Sequence, residues 1–162
     1  MYIDGIVIAG RAVVVAIGVD AGGEKHLLGL TLEATENATV VADLLADLVK
    51  RGLASERKRL FVIDGSKALR AAIERTFGSR GLVQRCRVHK ITNVLDYLPD
   101  EIKPQIKATM HAAFKLPAKD GLAKLRQQAL WLKREHPQAA ASLLEGIEET
   151  LTVNELGNEQ FA

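Results

Sequence analysis

Two stretches decide the fold: Tyr2-Ile3-Asp4-Gly5-Ile6-Val7-Ile8 and Leu60-Phe61-Val62-Ile63-Asp64-Gly65-Ser66. Each is an apolar, β-branched run carrying Ile-Asp-Gly, and such residues suit a pleated, half-buried surface. Side chains alternate along a strand, so Asp4 shares a face with Tyr2 and Ile6 while Ile3 points the other way. An ionised carboxylate among apolar neighbours is costly unless a cation or a hydrogen-bond donor compensates it. Asp4 reads either as an edge-strand acid with a local hydrogen bond or as a ligand. Asp64 ends its strand just before a helix, where α/β proteins place their sites. It equally suits a turn, or the cap of the helix beginning near Ser66. If the first and fourth strands are neighbours, both carboxylates reach one divalent ion. Their oxygens match a hard cation such as Mg2+ or Mn2+.

Working outward, Ala9-Gly10-Arg11 reads as a turn, Ala12–Val19 as a second strand, Asp20-Ala21-Gly22-Gly23 as a second turn, and His26–Leu32 as a third strand. Short connections make these three an antiparallel meander. Val40, Val41, Leu44, Leu45, Leu48 and Val49 then recur on one helical face, with Thr35 or Asn37 as the cap and Gly52 as the stop. Leu60–Ile63 is a buried strand. Ser66–Phe77 is a helix with Leu69, Ile73 and Phe77 inward, and Leu82–Gln84 is a fifth strand. The order β-β-β-α-β-α-β predicts an α/β domain with helices on a mixed sheet.

From His89 strand signals vanish. Val88, Ile91, Leu95 and Leu98 suit one helix closed by Pro99; Ile102, Ile106, Met110 and Phe114 suit a second; Leu122, Leu125, Ala129 and Leu132 suit a third ended by Pro137; Ala140, Leu144, Ile147 and Leu151 suit a fourth. Trp131 reads as core rather than as a base-stacking platform. The expected division is 1–88 for the α/β core, 89–153 for an all-α segment and 154–162 for a tail.

The chain has 162 residues, 48% hydrophobic and 26% charged, which fits an ordinary globular domain rather than a disordered chain. No apolar stretch is long enough to span a bilayer, and one cysteine, Cys86, excludes an internal disulfide; both suit a cytoplasmic protein. The net charge of +2 hides a basic middle between Lys50 and Lys90. Such a run either solvates a face or holds a polyanion. Its candidates for DNA contact are Lys67, Arg70, Arg85, Arg87 and Lys90. Cys86 and His89 form a Cys-x-x-His pair at a strand-to-helix junction. His26, His111 and His136 show no partner spacing that would complete a zinc site, so the pair reads as structural.

Several stretches together resemble the Mutator-type bacterial insertion-sequence transposases: Tyr2-Ile3-Asp4-Gly5, Val15-Ala16-Ile17-Gly18-Val19-Asp20, Phe61-Val62-Ile63-Asp64-Gly65, Gln84-Arg85-Cys86-Arg87-Val88-His89-Lys90, Asn93-Val94-Leu95-Asp96-Tyr97-Leu98-Pro99 and Glu145-Gly146-Ile147-Glu148-Glu149-Thr150-Leu151-Thr152. The most specific run is Gln84 to Pro99. The resemblance implies an RNase H-like fold with a helical insertion, and a DDE mechanism with Asp4 and Asp64 as the first two carboxylates. Cys86 and His89 map to the family's Cys-x-x-His motif. Two Mg2+ (or Mn2+) ions are implied, with DNA as partner (transposon ends and target) and no membrane or small-molecule substrate. The family's glutamate lies in a Thr-Asn-x-x-Glu context that neither Asn154-Glu155 nor Asn158–Ala162 matches. The expectation is therefore a central transposase fragment lacking the C-terminal part of the catalytic domain and the N-terminal DNA-binding region, and inactive alone. One sheet face would then expose apolar area and favour association, as a homo-oligomer or with intact transposase. The alternative is a non-catalytic DNA-binding or regulatory module that engages intact transposase.

Overall fold

The computed structural model describes residues 1–33 and 38–157. The chain divides into two compact units, Met1–Val83 and Gln84–Ala162. The first opens with three strands, β1 (Tyr2–Ile8), β2 (Arg11–Val19) and β3 (Lys25–Glu33). They pair antiparallel in sequence, as expected from their short turns. Helix α1 (Ala38–Lys50) follows, then β4 (Arg59–Ile63), α2 (Lys67–Phe77) and β5 (Gly81–Arg85). The sheet order is β3-β2-β1-β4-β5, and β1 runs parallel to β4, so the sheet is mixed.

Alternation explains the core of this unit. Ile3, Val14, Ala16, Phe61 and Ile63 bury one sheet face against Val41, Leu44, Leu45 and Leu48 of α1 and Leu69, Ile73 and Phe77 of α2. Helix α1 lies directly on the backbone of β3 at Gly29, where a Cβ would meet Leu44 Cδ1 at 3.0 Å. The caps expected at Thr35 or Asn37 lie outside the described residues. The other end is the expected glycine stop: Gly52 has φ 105°, Gly52 N–H donates to Val49 O at 3.0 Å and Leu53 N–H to Leu48 O at 2.9 Å. That paired bonding satisfies carbonyls a helix end otherwise leaves open.

The second unit is helical after β5. Its elements are α3 (Arg87–Leu95), α4 (Lys103–Phe114), α5 (Ala118–Leu132), α6 (Pro137–Leu144), a 3-10 turn (Glu148–Leu151) and α7 (Thr152–Leu156). Its core gathers Ile91, Val94, Ile106, Met110, Phe114, Leu125, Leu132, Leu143, Ile147 and Leu151.

Three sequence expectations change here. Pro137 does not end α5, which already stops at Leu132; it opens α6, where a residue without N–H is tolerated at the first turn. The single helix expected from Ala140 to Leu151 is broken at Glu145-Gly146. Gly146 adopts φ 56°, and a Cβ there would sit 3.0 Å from Arg85 Nη1. Leu144 is consequently exposed, and Leu143 fills the core instead. Trp131, expected in the core, is 51% exposed.

Helix α5 lies close against the α4 backbone at Gly121, where a Cβ would stand 2.6 Å from Ala113 O and 3.2 Å from Leu151 Cδ2. Alanine is the better helix former by about 1 kcal/mol. The obstacle is a backbone atom, so the clash outweighs propensity. Gly121→Ala is expected to destabilise the protein by about 1–3 kcal/mol. Chemical denaturation showing stabilisation would refute that packing argument.

Candidate active site

Asp64 directly follows β4, the strand that pairs with β1, which carries Asp4. Tyr2 stands opposite Val62 in the parallel β1–β4 pair, and Val62 N–H donates to Met1 O at 2.8 Å. Continued two residues beyond that pair, and one residue past the end of β4, the same register would bring Asp64 level with Asp4; paired strands lie about 4.8 Å apart. Ile3 and Ile63, one residue earlier, are 0% and 1% exposed beneath the helices. Alternation therefore puts both carboxylates on the other face, and both residues are half-buried.

That face is open and apolar. Tyr2 is 45% exposed, Ile6 41%, Leu27 64%, Leu30 52% and Leu32 59%, and the register aligns Ile17 with Tyr2 and Leu27 across the meander.

Of the two local roles its sequence position suggested, Asp64 takes the turn, and Ser66 rather than Asp64 caps α2. Its Oδ1 accepts the Ser66 N–H at 2.8 Å, closing a turn in which Gly65 holds φ 108°. Ser66 then caps α2, its Oγ accepting the Leu69 N–H at 3.3 Å. One carboxylate oxygen thus fixes the local chain while the side chain stays at the strand end. Lys67 and Arg70 lie exposed on the first turn of α2.

The remaining sequence candidates lie in the second unit. Cys86 is the N-cap residue of α3, a free half-buried thiol, and His89 Nδ1 is buried with no hydrogen-bond partner among the described residues. No third ligand joins that pair among the described residues. Arg85 and Lys90 are 6% and 0% exposed. Arg85 donates to Glu145 O and to Glu145 Oε2, both at 3.1 Å, and Lys90 Nζ donates to Glu145 O at 2.5 Å and to Ser142 O. Arg87 donates to Thr150 O at 2.8 Å and to Asn154 Oδ1, and lies 4.8 Å from the centroid of the Phe114 ring. Gln84, which the sequence reading passed over, bonds Thr150 O at 2.9 Å and accepts the Val153 N–H at 3.0 Å. The run Gln84–Lys90 is therefore a polar clamp on the segment Glu145–Asn154. A phosphate reaches Arg85 or Lys90 only if that clamp opens. One signal pointed to burial: Lys90 lies four residues before Val94, on the apolar stripe of α3.

Among the described residues, only Asp20, Glu24 and His26 bring three metal-ligating atoms together, all exposed at the β2–β3 turn. Asp20 Oδ1 accepts the N–H groups of Gly22 and Glu24, each at 2.9 Å, and Oδ2 pairs with His26 Nε2 at 2.8 Å. This group locks a turn. No third ligand stands with Asp4 and Asp64 among the described residues.

The described chain is an α/β unit with a mixed five-stranded sheet, followed by a helical unit. Residues 3–161 match the family described as Transposase, Mutator family, and the chain belongs to that family. It is 29% identical over 140 residues to a Corynebacterium diphtheriae protein named "Probable transposase for insertion sequence element", covering 84% of this chain and 39% of that protein. It is 30% identical over 153 residues to the transposase for insertion sequence element ISRM5 of Rhizobium meliloti (strain 1021), covering 90% and 36%. It is 31% identical over 145 residues to the transposase for insertion sequence element IS406 of Burkholderia multivorans (strain ATCC 17616 / 249), covering 88% and 36%. The chain thus spans under two-fifths of the length of these relatives. No described helix is long and apolar enough to cross a membrane.

The clamp carries a pH signature. Burial, then the Arg85 guanidinium, pushes Lys90 down to about 8, against a partial rise from Glu145. Its unfolded value is near 10.5. Between these values the unfolded chain binds the Lys90 proton and the folded chain does not, so stability from this group rises with pH across the window. Below pH 8 both states are protonated and the penalty of burying the charge is fully present. The stability of the wild type minus that of Lys90→Met should therefore increase from pH 8 to 10. A difference that is flat or falls over that range, by urea denaturation, would contradict it.

Proposed function

We propose that Asp4 and Asp64 are two of the metal-binding carboxylates of an RNase H-like DDE transposase core, acting in cleavage and joining of DNA strands at insertion-sequence ends. One observation supports the reading most: β1 pairs in parallel with β4 at Tyr2 and Val62, while Ile3 and Ile63, the residues before the two aspartates, are buried against the helices. The element order β-β-β-α-β-α-β and the strand order β3-β2-β1-β4-β5 support the RNase H-like assignment.

The donor set fits a hard divalent cation, because both groups offer only oxygen. Mg2+ or Mn2+, when bound, supplies Lewis-acid stabilisation of the attacking and leaving oxygens of a phosphodiester. The chain's own residues hold that site. Ser66 N–H orients Asp64, and in this reading the parallel β1–β4 pairing brings it toward Asp4. Lys67 and Arg70 on α2 add positive charge that draws the DNA backbone. A third carboxylate completes the ligand set in this reading, and no described residue supplies it. Ligands acting as one unit lose rate steeply when one is missing. This chain by itself is accordingly proposed to cut DNA poorly, while a chain bearing that carboxylate cuts well.

Mn2+ added to the isotope-labelled chain should broaden the amide resonances around Asp4 and Asp64 first. Asp4→Asn or Asp64→Asn should remove that selectivity without unfolding the sheet. Broadening centred on Asp20 and His26 instead, unchanged by Asp4→Asn, would defeat the assignment. In a full-length relative, the substitution matching Asp4→Asn should lower divalent-dependent cleavage by at least about a hundredfold. Salt-sensitive DNA binding in a chain that never supports cleavage would favour the regulatory module.

The open face generates its own expectation. Leu32→Lys should leave stability within about 0.5 kcal/mol, as surface substitutions usually do. It should also reduce concentration-dependent association of the chain in sedimentation velocity. Association unchanged by Leu32→Lys and by Leu30→Lys would show that the face is not what associates.

A further inference from the structure

The two ends of the sheet are built differently. At one end β3 carries devices that discourage a further strand. Ala16 pairs with Gly29 and Ile17 with Leu27, so Leu28 is an extra residue, a bulge in the ladder. Arg51 Nη2 donates to the Leu28 carbonyl at 2.6 Å, and Arg51 Nε donates to Asp47 Oδ2 at 2.8 Å, which holds the guanidinium over that edge. At the other end stands β5, flanked by β4 alone among the described strands. It carries no proline and no lysine, and its one charged residue, Arg85, is buried and bonded to Glu145. Backbone groups alternate sides along a strand, so part of those on β5 point away from β4. Beside this edge lies a cleft of about 350 Å³ lined by Arg70, Ile73, Glu74, Gly78, Gly81 and Val83. Ile73 takes the place of a side chain at Gly81, where a Cβ would meet Ile73 Cγ2 at 2.7 Å. The floor of the cleft is thus apolar, and its rim on α2 offers Arg70 and Glu74, one helical turn apart.

We propose that β5 pairs antiparallel with β5 of a second copy of this chain, about a twofold axis at Leu82, and joins two five-stranded sheets into one. That register is self-complementary, as a twofold contact requires. Val83 packs against the core beneath the helices and Gly81 faces Ile73, so both lie on the α2 face of the strand and Leu82 on the other. Leu82 falls opposite Leu82 of the second copy, an apolar cross-strand pair. Gly81 falls opposite Val83 of the second copy, whose side chain enters the cleft that glycine leaves open. A register centred on Gly81 would set glycine against glycine and leave that cleft empty. The axis keeps both α2 helices on one face, antiparallel and side by side. Arg70 of each copy then meets Glu74 of the other, so one pair of residues supplies two opposite-charge contacts. Charge complementarity and the filled cleft thus select a second copy over an unrelated strand. The paired surface is small for a specific interface, which places the dimer in the micromolar range. It is separate from the carboxylate reading and stands without it.

Sedimentation velocity of the full chain, without DNA, should show a monomer–dimer equilibrium between about 10 and 100 μM. Glu74→Arg and Arg70→Glu each set like charges across the axis, and each should weaken the dimer by about tenfold. The chain carrying both substitutions should dimerise as the wild type does, and so should an equal mixture of the two single variants. That recovery separates a lost contact from a damaged fold, and thermal melting checks each variant independently. Leu82→Lys places two ammonium groups opposite each other and should remove the dimer. In a Cys86→Ser background, which removes the one thiol of the chain, Leu82→Cys should form an intermolecular disulfide on mild oxidation, because directly opposed residues lie within disulfide reach. A chain that stays monomeric throughout that range would overturn the proposal. So would single variants that fold and associate normally, or a double variant that fails to recover. Association that survives Glu74→Arg and Leu82→Lys but is lost in Leu32→Lys belongs to the open sheet face and rejects the β5 edge.

Discussion

The parallel pairing of β1 with β4 is the constraint on which the first unit depends. A meander of three antiparallel strands needs only short turns, but a fourth strand parallel to the first requires a crossover, and α1 supplies it. The crossover buries Ile3, Phe61 and Ile63 between sheet and helices. Because the side-chain period is two, burying those isoleucines forces the aspartates that follow them onto the opposite face. A one-residue slip of β4 would drive Asp64 toward the apolar core and expose Ile63, so hydrophobic burial itself maintains the carboxylate alignment. Stability and the candidate chemistry thus share one register.

The second unit is organised by polar groups to an extent unusual for a helical core. Gln84, Arg85, Arg87 and Lys90 bond the carbonyls of Ser142, Glu145 and Thr150. These carbonyls belong to the last turn of α6, to the residue just after it and to the 3-10 turn, where helix ends leave carbonyls open for outside donors. Cationic donors satisfy them more strongly than neutral ones. The helix break at Gly146 and the basic run at Gln84–Lys90 are two halves of one arrangement: the break presents carbonyls, and the run fills them. Removing one cation would strand the acceptors, and removing the break would leave a buried ammonium without partners.

This reciprocity explains what could be read from the sequence. The strands of the first unit were legible because alternation and turn residues act locally, and Asp20, Gly22 and Gly23 punctuate the chain where the structure turns. The neighbouring of the first and fourth strands was legible because both carry the same Ile-Asp-Gly phrase in an apolar run. The clamp was not, since Arg85 and Lys90 carry the same charge whether they face water or a carbonyl sixty residues away. The continuous helix expected through Leu151 failed for the same reason. Apolar spacing persists across Gly146, and only the approach of Arg85 shows why the backbone must turn there. Trp131 was misread by composition alone. Leu130, Trp131 and Leu132 are consecutive, and successive helical residues cannot all face one way; Leu132 takes the core and the other two are left outward.

An outward tryptophan in a well-packed helical unit has a further consequence. The core of this unit closes without it, through Leu125, Ala129 and Leu132 on α5 and Ile106 and Met110 on α4. Gly121 then lets α5 approach the α4 backbone at one end of their contact. At the other end Gln128 stands where a leucine would ordinarily pack, and it turns its nitrogen to Ile106 O rather than filling space. A leucine there would remove an orphan acceptor and add apolar burial, both stabilising. Holding glutamine instead keeps a polar wall beneath an exposed aromatic ring. The packing of α4 against α5 therefore sacrifices stability at Gln128 and retains it at Gly121.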